Sequence, residues 1–488
     1  MSPLVITVAL TVTAVLACCW LGQVCHTQAS DWNVSATYVV VMGWLYFMPA
    51  AFASFTGNKV VSRDIDGNPI LLLLPYATAV ARVANVLLLL VPVVFFIRAL
   101  RGRPQVNPTA VLAALLCVIS ATAAGLDGYP VYSRGALTLF LALLPVTILP
   151  SGRGVCLGGT VVVVTLAAAS GLLTLVNYDL AISPCVGDYK CGPLGVFVFG
   201  IVDNENGLAL ALATGSALLW LGIRGRKQRV ALYGYMTGMG MVVISGARTS
   251  AVALAAALLV LVMFDRAAQT RMQRLELGPP DRGHHQGGSP ATAAAGAVVV
   301  VLAAVATVLP YVTNDPLAYT RRGALWLVAR QRLAGHQLEG LGSPAWSSLA
   351  DRGLISLTSS YSVHNQFLDV RWISGTIGVV LFVAVLILIL KRDLVLGAVL
   401  LAPVLLLGIT ERPWSTAHVD STTFAYLASL IAIPVVTAVR SDAAYGAPAG
   451  DVTAQPRAGR AVSQRGLVGA APMRRSRTGT ISGGTGPR

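Results

Sequence analysis

Charged residues are scarce in this chain of 488 residues: Asp, Glu, Lys and Arg make up 11% of it, against 55% apolar residues. A soluble domain carries about 25% charged residues, which it needs to cover a surface that faces water. The shortage therefore excludes a soluble globular protein. Long uncharged runs, such as 86–96 and 378–390, are typical of bilayer-spanning helices, which need about 20 mostly apolar residues. The sequence predicts a polytopic membrane protein.

The first 20 residues contain no Lys or Arg, and no clear small-residue cleavage site follows them. A secretory signal peptide begins with positive charge and ends at such a site. We therefore expect a retained helix at the beginning of the chain rather than a cleaved leader.

A disulfide framework is also missing. The sequence has seven cysteines, and most lie in apolar runs, where a cysteine packs as a small apolar side chain. Cys185 and Cys191 differ because they flank a polar loop. If that loop lies outside the membrane, a disulfide fits this pair as well as two free thiols do.

Positive charge is abundant, with a net charge of +15, but it is not concentrated on one domain as in a nucleic-acid-binding protein. The basic residues lie in short loops between apolar runs and in the C-terminal tail. Short basic loops of membrane proteins face the cytoplasm. The charge therefore indicates topology, and we expect membrane lipids and no nucleic acid among the partners.

The hydropathy pattern predicts an all-α polytopic membrane protein with about 12–13 transmembrane helices. A broken or re-entrant helix within 71–98, which holds Arg82, separates the count of twelve from that of thirteen. The predicted helices are 3–24, 36–55, 71–98, 109–126, 134–150, 155–176, 195–222, 229–246, 248–264, 292–313, 371–390, 394–410 and 421–440.

Three parts follow from this pattern. Residues 1–194 form an N-terminal transmembrane bundle, and residues 195–440 form a second transmembrane domain. The second domain includes one large external loop, 314–370, in which we expect two or three short helices on the membrane surface. Residues 441–488 are rich in Ala, Gly, Ser, Pro and Arg and cannot bury a core, so we expect a disordered basic cytoplasmic tail.

Polar residues at membrane depth mark the candidate sites, because each Arg or Asp there costs about 2.5–3.5 kcal/mol. Four stretches qualify. They are Arg248 in "SGARTS", Arg321 and Arg322 with Trp326 in "TRRGALW", His364 and Asn365 ahead of Gly375, and Asn204, Glu205 and Asn206 in "DNENG". Simpler roles compete with function: the arginines can contact lipid phosphates, and Asn206 can cap a helix.

The four stretches together resemble the signature of the O-antigen ligase and O-antigen polymerase family of membrane glycosyltransferases. The family pattern His-[Asn/Ser/Gln]-x9-Gly-x-x-Gly is matched by His364, Asn365, Gly375 and Gly378. The "SGARTS" stretch resembles its small-Ser-Arg element, with Ala247 where Ser is usual.

Two further elements of the family are matched in the expected order. Arg322 and Trp326 resemble its Arg-x3-Trp, and the stretch from His336 to Gly342 resembles His-Pro-x-x-Gly-x-Gly, with Gln337 in place of the proline. The "NEN" of 204–206 resembles its Asn-x-Asn turn. The resemblance covers roughly residues 195–410, and the N-terminal third is matched by hydropathy alone.

The resemblance implies a GT-C-like fold and a donor glycan carried on a polyprenyl diphosphate. The glycan would pass to a hydroxyl of a glycan or lipid acceptor at the extracytoplasmic face of the cytoplasmic membrane, with inversion and without a metal or other cofactor. Guanidinium groups suit a departing diphosphate, and a histidine suits the acceptor proton. The implied catalytic residues are His364, Arg248 and Arg322. The implied substrate-binding residues are Asn365, Arg321, Trp326, Asn204, Glu205 and Asn206.

Several alternatives stay open. Glu205, Asp369 and Glu411 each qualify as an assisting carboxylate. Asp64 and Asp66 form an acidic pair that would hold a divalent cation in a metal-dependent mechanism, which EDTA would inhibit. A flippase or transporter of lipid-linked glycans predicts an internal repeat, and the sequence shows none. A glycan polymerase of the peptidoglycan type is disfavoured by the late position of the large loop, and ligase and polymerase activities are not separated by the sequence.

Overall fold

In the computed structural model, the described residues are 32–63, 69–102, 104–129, 134–184, 195–202, 205–223, 228–277, 289–355 and 362–434. Backbone contacts divide the chain into Met1–Val436 and Thr437–Arg488, and the description concerns the first of these units. The predicted helix 3–24, the predicted tail 441–488, Cys185 with Cys191, and Asp64 with Asp66 all lie outside the described residues.

The described residues are mostly helical. The helices are α1 (Val34–Phe55), α2 (Pro75–Leu100), α3 (Pro108–Leu126), α4 (Arg134–Val146), α5 (Arg153–Val176), α6 (Tyr178–Ala181), α7 (Glu205–Ile223), α8 (Gln228–Ser245), α9 (Arg248–Leu277), α10 (Pro290–Val312), α11 (Ala318–Leu333), α12 (Ser343–Asp351), α13 (Gln366–Arg392), α14 (Leu394–Gly408) and α15 (Thr423–Ile431). The strands are β1 (Lys59–Arg63), β2 (Pro69–Leu73), β3 (Ile182–Pro184) and β4 (Val196–Val198).

Among the described residues, seven helices are long and apolar enough to cross a membrane: α1, α2, α3, α5, α9, α10 and α13. Shorter apolar helices cover Arg134–Val146, Asn206–Gly222 and Leu394–Gly408. The prediction of a mostly helical polytopic membrane protein is therefore confirmed in its general form, with fewer candidate spans than the sequence indicated.

Two antiparallel β-hairpins were not predicted. Strand β1 pairs with β2, and β3 pairs with β4. The first hairpin takes the beginning of the predicted helix 71–98, so α2 begins only at Pro75, a residue suited to the first helical turn. The second takes the beginning of the predicted helix 195–222, so α7 begins at Glu205.

Short polar side chains set several helix starts. Asn33 accepts a hydrogen bond from the backbone N–H of Ala36, and Asn107 accepts from the N–H groups of Thr109 and Ala110. These contacts satisfy N–H groups that have no partner within the helix. Asn365 caps α13 in the same way, which is why this helix begins before the predicted residue 371.

Small residues let the central helices approach closely. A Cβ atom on Gly158 of α5 would lie 2.6 Å from the carbonyl oxygen of Ala36 of α1, and one on Gly215 of α7 would lie 2.2 Å from Cγ2 of Val163. Close backbone approach of this kind is typical of helices packed within a membrane. Helices α5 and α7 thus pack directly on each other across the boundary predicted at residue 194.

The described part of the predicted loop 314–370 contains two helices, α11 and α12, in line with the short helices expected there. Together with the beginning of α13 they enclose a core of their own, centred on Trp326, Trp346 and Trp372. The rings of Trp346 and Trp372 meet edge to face, 5.0 Å apart. This α11–α12 segment is therefore a folded part of the structure.

A strap of backbone, residues 337–342, crosses α13 where that helix is kinked at Gly375. Gly375 has φ 63° and ψ −163° inside the helix. The N–H of Leu341 donates to the carbonyl of Trp372 at 2.7 Å, and the N–H of Thr376 donates to the carbonyl of Gln337 at 2.8 Å. A Cβ atom on Gly375 would lie 2.0 Å from the carbonyl oxygen of Leu338. The absence of a side chain at Gly375 thus allows the backbone of the strap, rather than a neighbouring helix, to approach α13 at this point.

Candidate functional site

Three side chains from distant parts of the sequence meet in one buried network. Nδ1 of His364 lies 2.9 Å from Oε2 of Glu411. Nη2 of Arg322 donates a hydrogen bond to Oε1 of the same carboxylate, and Nη1 of Arg322 donates to Oγ1 of Thr249 at 2.9 Å. The network joins the turns before α13 and after α14 to α11 and the first turn of α9.

Glu411 is the centre of this network. Its side chain is 2% exposed, that of His364 8%, and that of Arg322 13%. A buried carboxylate costs several kcal/mol of free energy unless charged and hydrogen-bonding partners compensate for the lost water. Arg322 supplies the opposite charge, so Glu411 remains available as an acceptor for the imidazole.

His364 is kept neutral by its surroundings. Burial lowers the pKa of its imidazole below the usual 6.5; Glu411 opposes this shift, and the positive charges of Arg322 and Arg412 add to it. A neutral ring that faces a carboxylate through Nδ1 carries its proton on that atom. Nε2 is then the acceptor, as in a histidine that takes a proton from a hydroxyl group.

The backbone at His364 adopts an uncommon conformation. Its φ is 57°, in the left-handed region that few residues other than glycine occupy. Two hydrogen bonds hold the turn: the N–H of His364 donates to Oγ of Ser362, and the N–H of Val363 donates to Oδ1 of Asp369, each at 3.1 Å. Backbone strain of this kind persists where the surroundings fix it, and it is frequent at functional sites.

Asn365 is fully occupied within the protein. Its Oδ1 accepts from the N–H of Leu368 at 2.8 Å, and its Nδ2 donates to the carbonyls of Ala306 and Ile409 at 2.8 and 2.9 Å. The residue is completely buried. Its contacts thus hold the beginning of α13 against α10 and the turn after α14, while the substrate contact expected from the sequence stays a prediction.

A second group of buried charges lies beside the first. Arg412, next to Glu411 in the chain, is 3.5 Å from Oδ2 of Asp420, 3.9 Å from Oδ2 of Asp369, and 3.0 Å from Nε2 of His418. Burial, with a contribution from Arg412, lowers the pKa of His418 to about 3. His418 is therefore neutral and accepts the hydrogen bond from Arg412.

The other predicted arginines flank the network. Arg248 is exposed at the beginning of α9, one residue before Thr249, which binds Arg322. Arg321 is exposed as well and forms, with Tyr319 and Thr320, a run of left-handed backbone with φ between 52° and 69°. Both arginines thus adjoin residues of the network in the chain and are exposed.

Arg330, a further arginine of α11, binds the end of a neighbouring helix. It donates to the carbonyls of Tyr311 and Thr313 at 2.5 and 3.0 Å, and to Oδ1 of Asn314 at 3.2 Å. These groups lie at the end of α10, where unpaired carbonyls attract positive charge. Helix capping therefore accounts for this arginine without a bound anion.

The remaining predicted residues are described in part. Trp326 is fully buried in the core of the α11–α12 segment, with its ring 5.3 Å from that of Tyr319. Asn206 is half-buried in the first turn of α7. Asn204 is outside the described residues, and Glu205 is described only by its backbone. The substrate-binding roles of these residues stay predictions.

Sequence reasoning missed part of this site. It left Glu411 as one of three candidate carboxylates, and it did not single out Thr249 or Gln366. Arg248 directly precedes Thr249, and Asn365 directly precedes Gln366. These neighbours gave the only signal, because their motifs mark the two turns. Comparisons of the chain with family models, curated proteins and solved structures found no match. The chemistry of the site is accordingly argued from its geometry.

Proposed function

We propose that the protein is a GT-C-like membrane glycosyltransferase. It transfers or polymerises an oligosaccharide, carried on a polyprenyl diphosphate, onto an acceptor hydroxyl at the outer face of the cytoplasmic membrane, in the assembly of cell-surface polysaccharide. The observation that carries the proposal is the convergence of His364 and Arg322, from separate motifs, on the carboxylate of Glu411.

In the proposed reaction, Nε2 of His364 takes the proton of the acceptor hydroxyl. The acceptor oxygen forms a bond to the anomeric carbon as the bond from that carbon to the diphosphate oxygen breaks, and the leaving diphosphate keeps the electron pair. Attack opposite the leaving group inverts the anomeric configuration. Glu411 orients the ring through Nδ1 and stabilises the imidazolium that forms.

The developing charge on the diphosphate calls for cations near the network. Arg248 and Arg321 suit this task because they are exposed beside it, and guanidinium groups bind phosphate oxygens in pairs. Arg322 holds Glu411 and Thr249, so its charge is fixed at the site without a cost of reorganisation during the reaction. The proposed mechanism therefore places the charge stabilisation on arginines rather than on a metal ion.

The test uses lipid-linked glycan extracted from the membranes of a strain from which the gene has been deleted. Purified protein in detergent is incubated with this donor and with a membrane extract of the same strain as the source of the glycan or lipid acceptor, and released polyprenyl diphosphate is measured. We expect release by the wild type and none above background by His364→Ala. A detergent micelle has no two membrane faces between which a lipid could be moved. A flippase would therefore leave the donor chemically unchanged, and that result would contradict the proposal.

The surface glycan of the same deletion strain separates the two activities within the proposed class. Short capped repeats indicate a lost polymerase, whereas full chains that remain on the lipid carrier indicate a lost ligase. Normal surface glycan in cells that produce His364→Ala would contradict the role given to this residue.

A further inference from the structure

The turn that carries Glu411 is clamped to the beginning of α13 at two points, one on each side of the carboxylate. Before Glu411 in the chain, the carbonyl of Ile409 accepts a hydrogen bond from Nδ2 of Asn365. After Glu411 in the chain, Trp414 is bound by Gln366: Nε2 of Gln366 donates to the carbonyl of Trp414 at 2.9 Å, and Oε1 of Gln366 accepts from the N–H of Trp414 at 2.9 Å. Two neighbouring amides thus hold the turn at residues 409 and 414.

The contact between Gln366 and Trp414 is rigid. Gln366 is 1% exposed, and both polar atoms of its side chain bind the backbone of one residue. Trp414 is fully buried, with its ring 4.8 Å from that of Tyr426 and 6.4 Å from that of Phe382. Gln366 is therefore bound to a residue, Trp414, that cannot shift without disturbing the two rings packed against it.

Gly408 gives the side chain of Gln366 its path. A Cβ atom on Gly408 would lie 3.1 Å from Cβ of Gln366, closer than most such contacts. The last residue of α14 thus leaves room for Gln366 to pass from α13 to Trp414. A side chain at residue 408 would have to displace Gln366 by a few tenths of an ångström.

We infer that Gln366 is a positioning residue for the reaction: by fixing the turn 409–414 to the first residues of α13, it sets the distance between Glu411 and His364. This inference rests on the proposed function. The hydrogen bonds described above do not join Gln366 to the side chain of Glu411 or of His364. Gln366 acts through the backbone of Trp414. A displacement of about 1 Å at such a pair lowers a rate by roughly 100-fold.

Gln366→Met tests the inference, since it keeps the length of the side chain and removes both hydrogen bonds. With lipid-linked glycan from the deletion strain as the donor, we expect kcat to fall by about 10–100-fold while KM for the donor changes less than about threefold. Because Glu411 raises the pKa of His364, we also expect the acid midpoint of the kcat profile to move to lower pH. Gln337→Met, at an exposed glutamine, is the matched control.

Gly408→Ala is the second variant and carries the test if Gln366→Met does not fold. It adds a methyl group against Cβ of Gln366 and favours the helix, so the fold is retained, and we expect kcat to fall several-fold at unchanged KM. A kcat within twofold of the wild type, or a lower kcat with an unmoved acid midpoint, would overturn the inference. A wild type that leaves the lipid-linked glycan unchanged would instead overturn the proposed function, so the two failures are distinguishable.

Discussion

Glu411 holds His364 with one carboxylate oxygen and Arg322 with the other, although these residues lie 47 and 89 positions away in the chain. The carboxylate therefore links an imidazole, which can take a proton, to a guanidinium group, which supplies positive charge. Neither contact is open to bulk water, since the Glu411 side chain is 2% exposed. The consequences of this arrangement can be measured.

Replacement of Glu411 by glutamine should lower kcat by about 100-fold or more, because an amide no longer fixes the proton of His364 on Nδ1. The variant keeps the size of the side chain and an oxygen for Arg322. The measurement is the release of polyprenyl diphosphate at saturating donor. Glu339→Gln is the matched control, since Glu339 forms an exposed pair with His336 at 3.2 Å. Equal activity of Glu411→Gln and the control would contradict the role of Glu411.

The pH dependence of kcat should follow His364. Because burial lowers its pKa below 6.5, the ring is neutral and active at neutral pH, and kcat should fall only when the pH drops below about 6.5. The measurement is kcat between pH 5 and 8 under conditions where the protein stays folded. An acid midpoint above the ordinary histidine value, or a rate that rises as the pH falls, would show that another group controls the reaction.

His418 should make stability depend on pH. Its pKa is about 3 in the folded protein and about 6.5 when unfolded, so the unfolded state binds more protons between these values. Its contribution to stability is therefore fully present above about pH 6.5 and declines as the pH falls towards 3. We expect the melting temperature of His418→Gln in detergent to fall less between pH 7 and 5 than that of the wild type. Gln337→Met, at an exposed residue that does not titrate, should keep the wild-type slope, and parallel slopes for all three proteins would exclude this role of His418.

Gly375→Ala should destabilise the protein. The backbone of Gly375, with φ 63° and ψ −163°, lies in a region that is almost exclusive to glycine and costs other residues about 1–3 kcal/mol, and the added Cβ would meet the carbonyl of Leu338 at 2.0 Å. We expect a lower melting temperature and detachment of the strap 337–342, seen as faster amide hydrogen exchange at Leu341 and Thr376. Gly240→Ala is the control, because a Cβ there meets nothing within 4 Å. An unchanged exchange rate at Leu341 would show that the strap does not depend on Gly375.

The sequence predicted most of the helices because apolar runs of membrane length leave few alternatives. Several predicted bounds are close to those observed, such as 109–126 against Pro108–Leu126. The two β-hairpins were missed because one strand of each, Pro69–Leu73 and Val196–Val198, is as apolar as the helix that follows it. Hydropathy measures burial and carries no information on strand pairing.

The candidate site was predicted in part, for a reason that is also physical. His364 and Arg322 stand out because a titratable or charged group near a membrane helix demands an explanation. The sequence did not separate Glu411 from Glu205 and Asp369, because all three lie near the same predicted face of the membrane. The distinction depends on the clamps from Asn365 and Gln366, and such long-range contacts have no local signature.

The strap across α13 determines which substitutions the sequence can accept at this crossing. Apart from one hydrogen bond from the Thr376 hydroxyl, its links to residues 372–377 join backbone N–H and carbonyl groups, which a change of side chain does not remove unless it introduces proline at a donor. At residue 337 the strap uses the carbonyl, a group that proline also has. Gln337 can therefore stand where the similar motif has proline without loss of this contact. The glycines where the strap crosses α13 cannot be replaced in this way, and we expect no other residue at these positions.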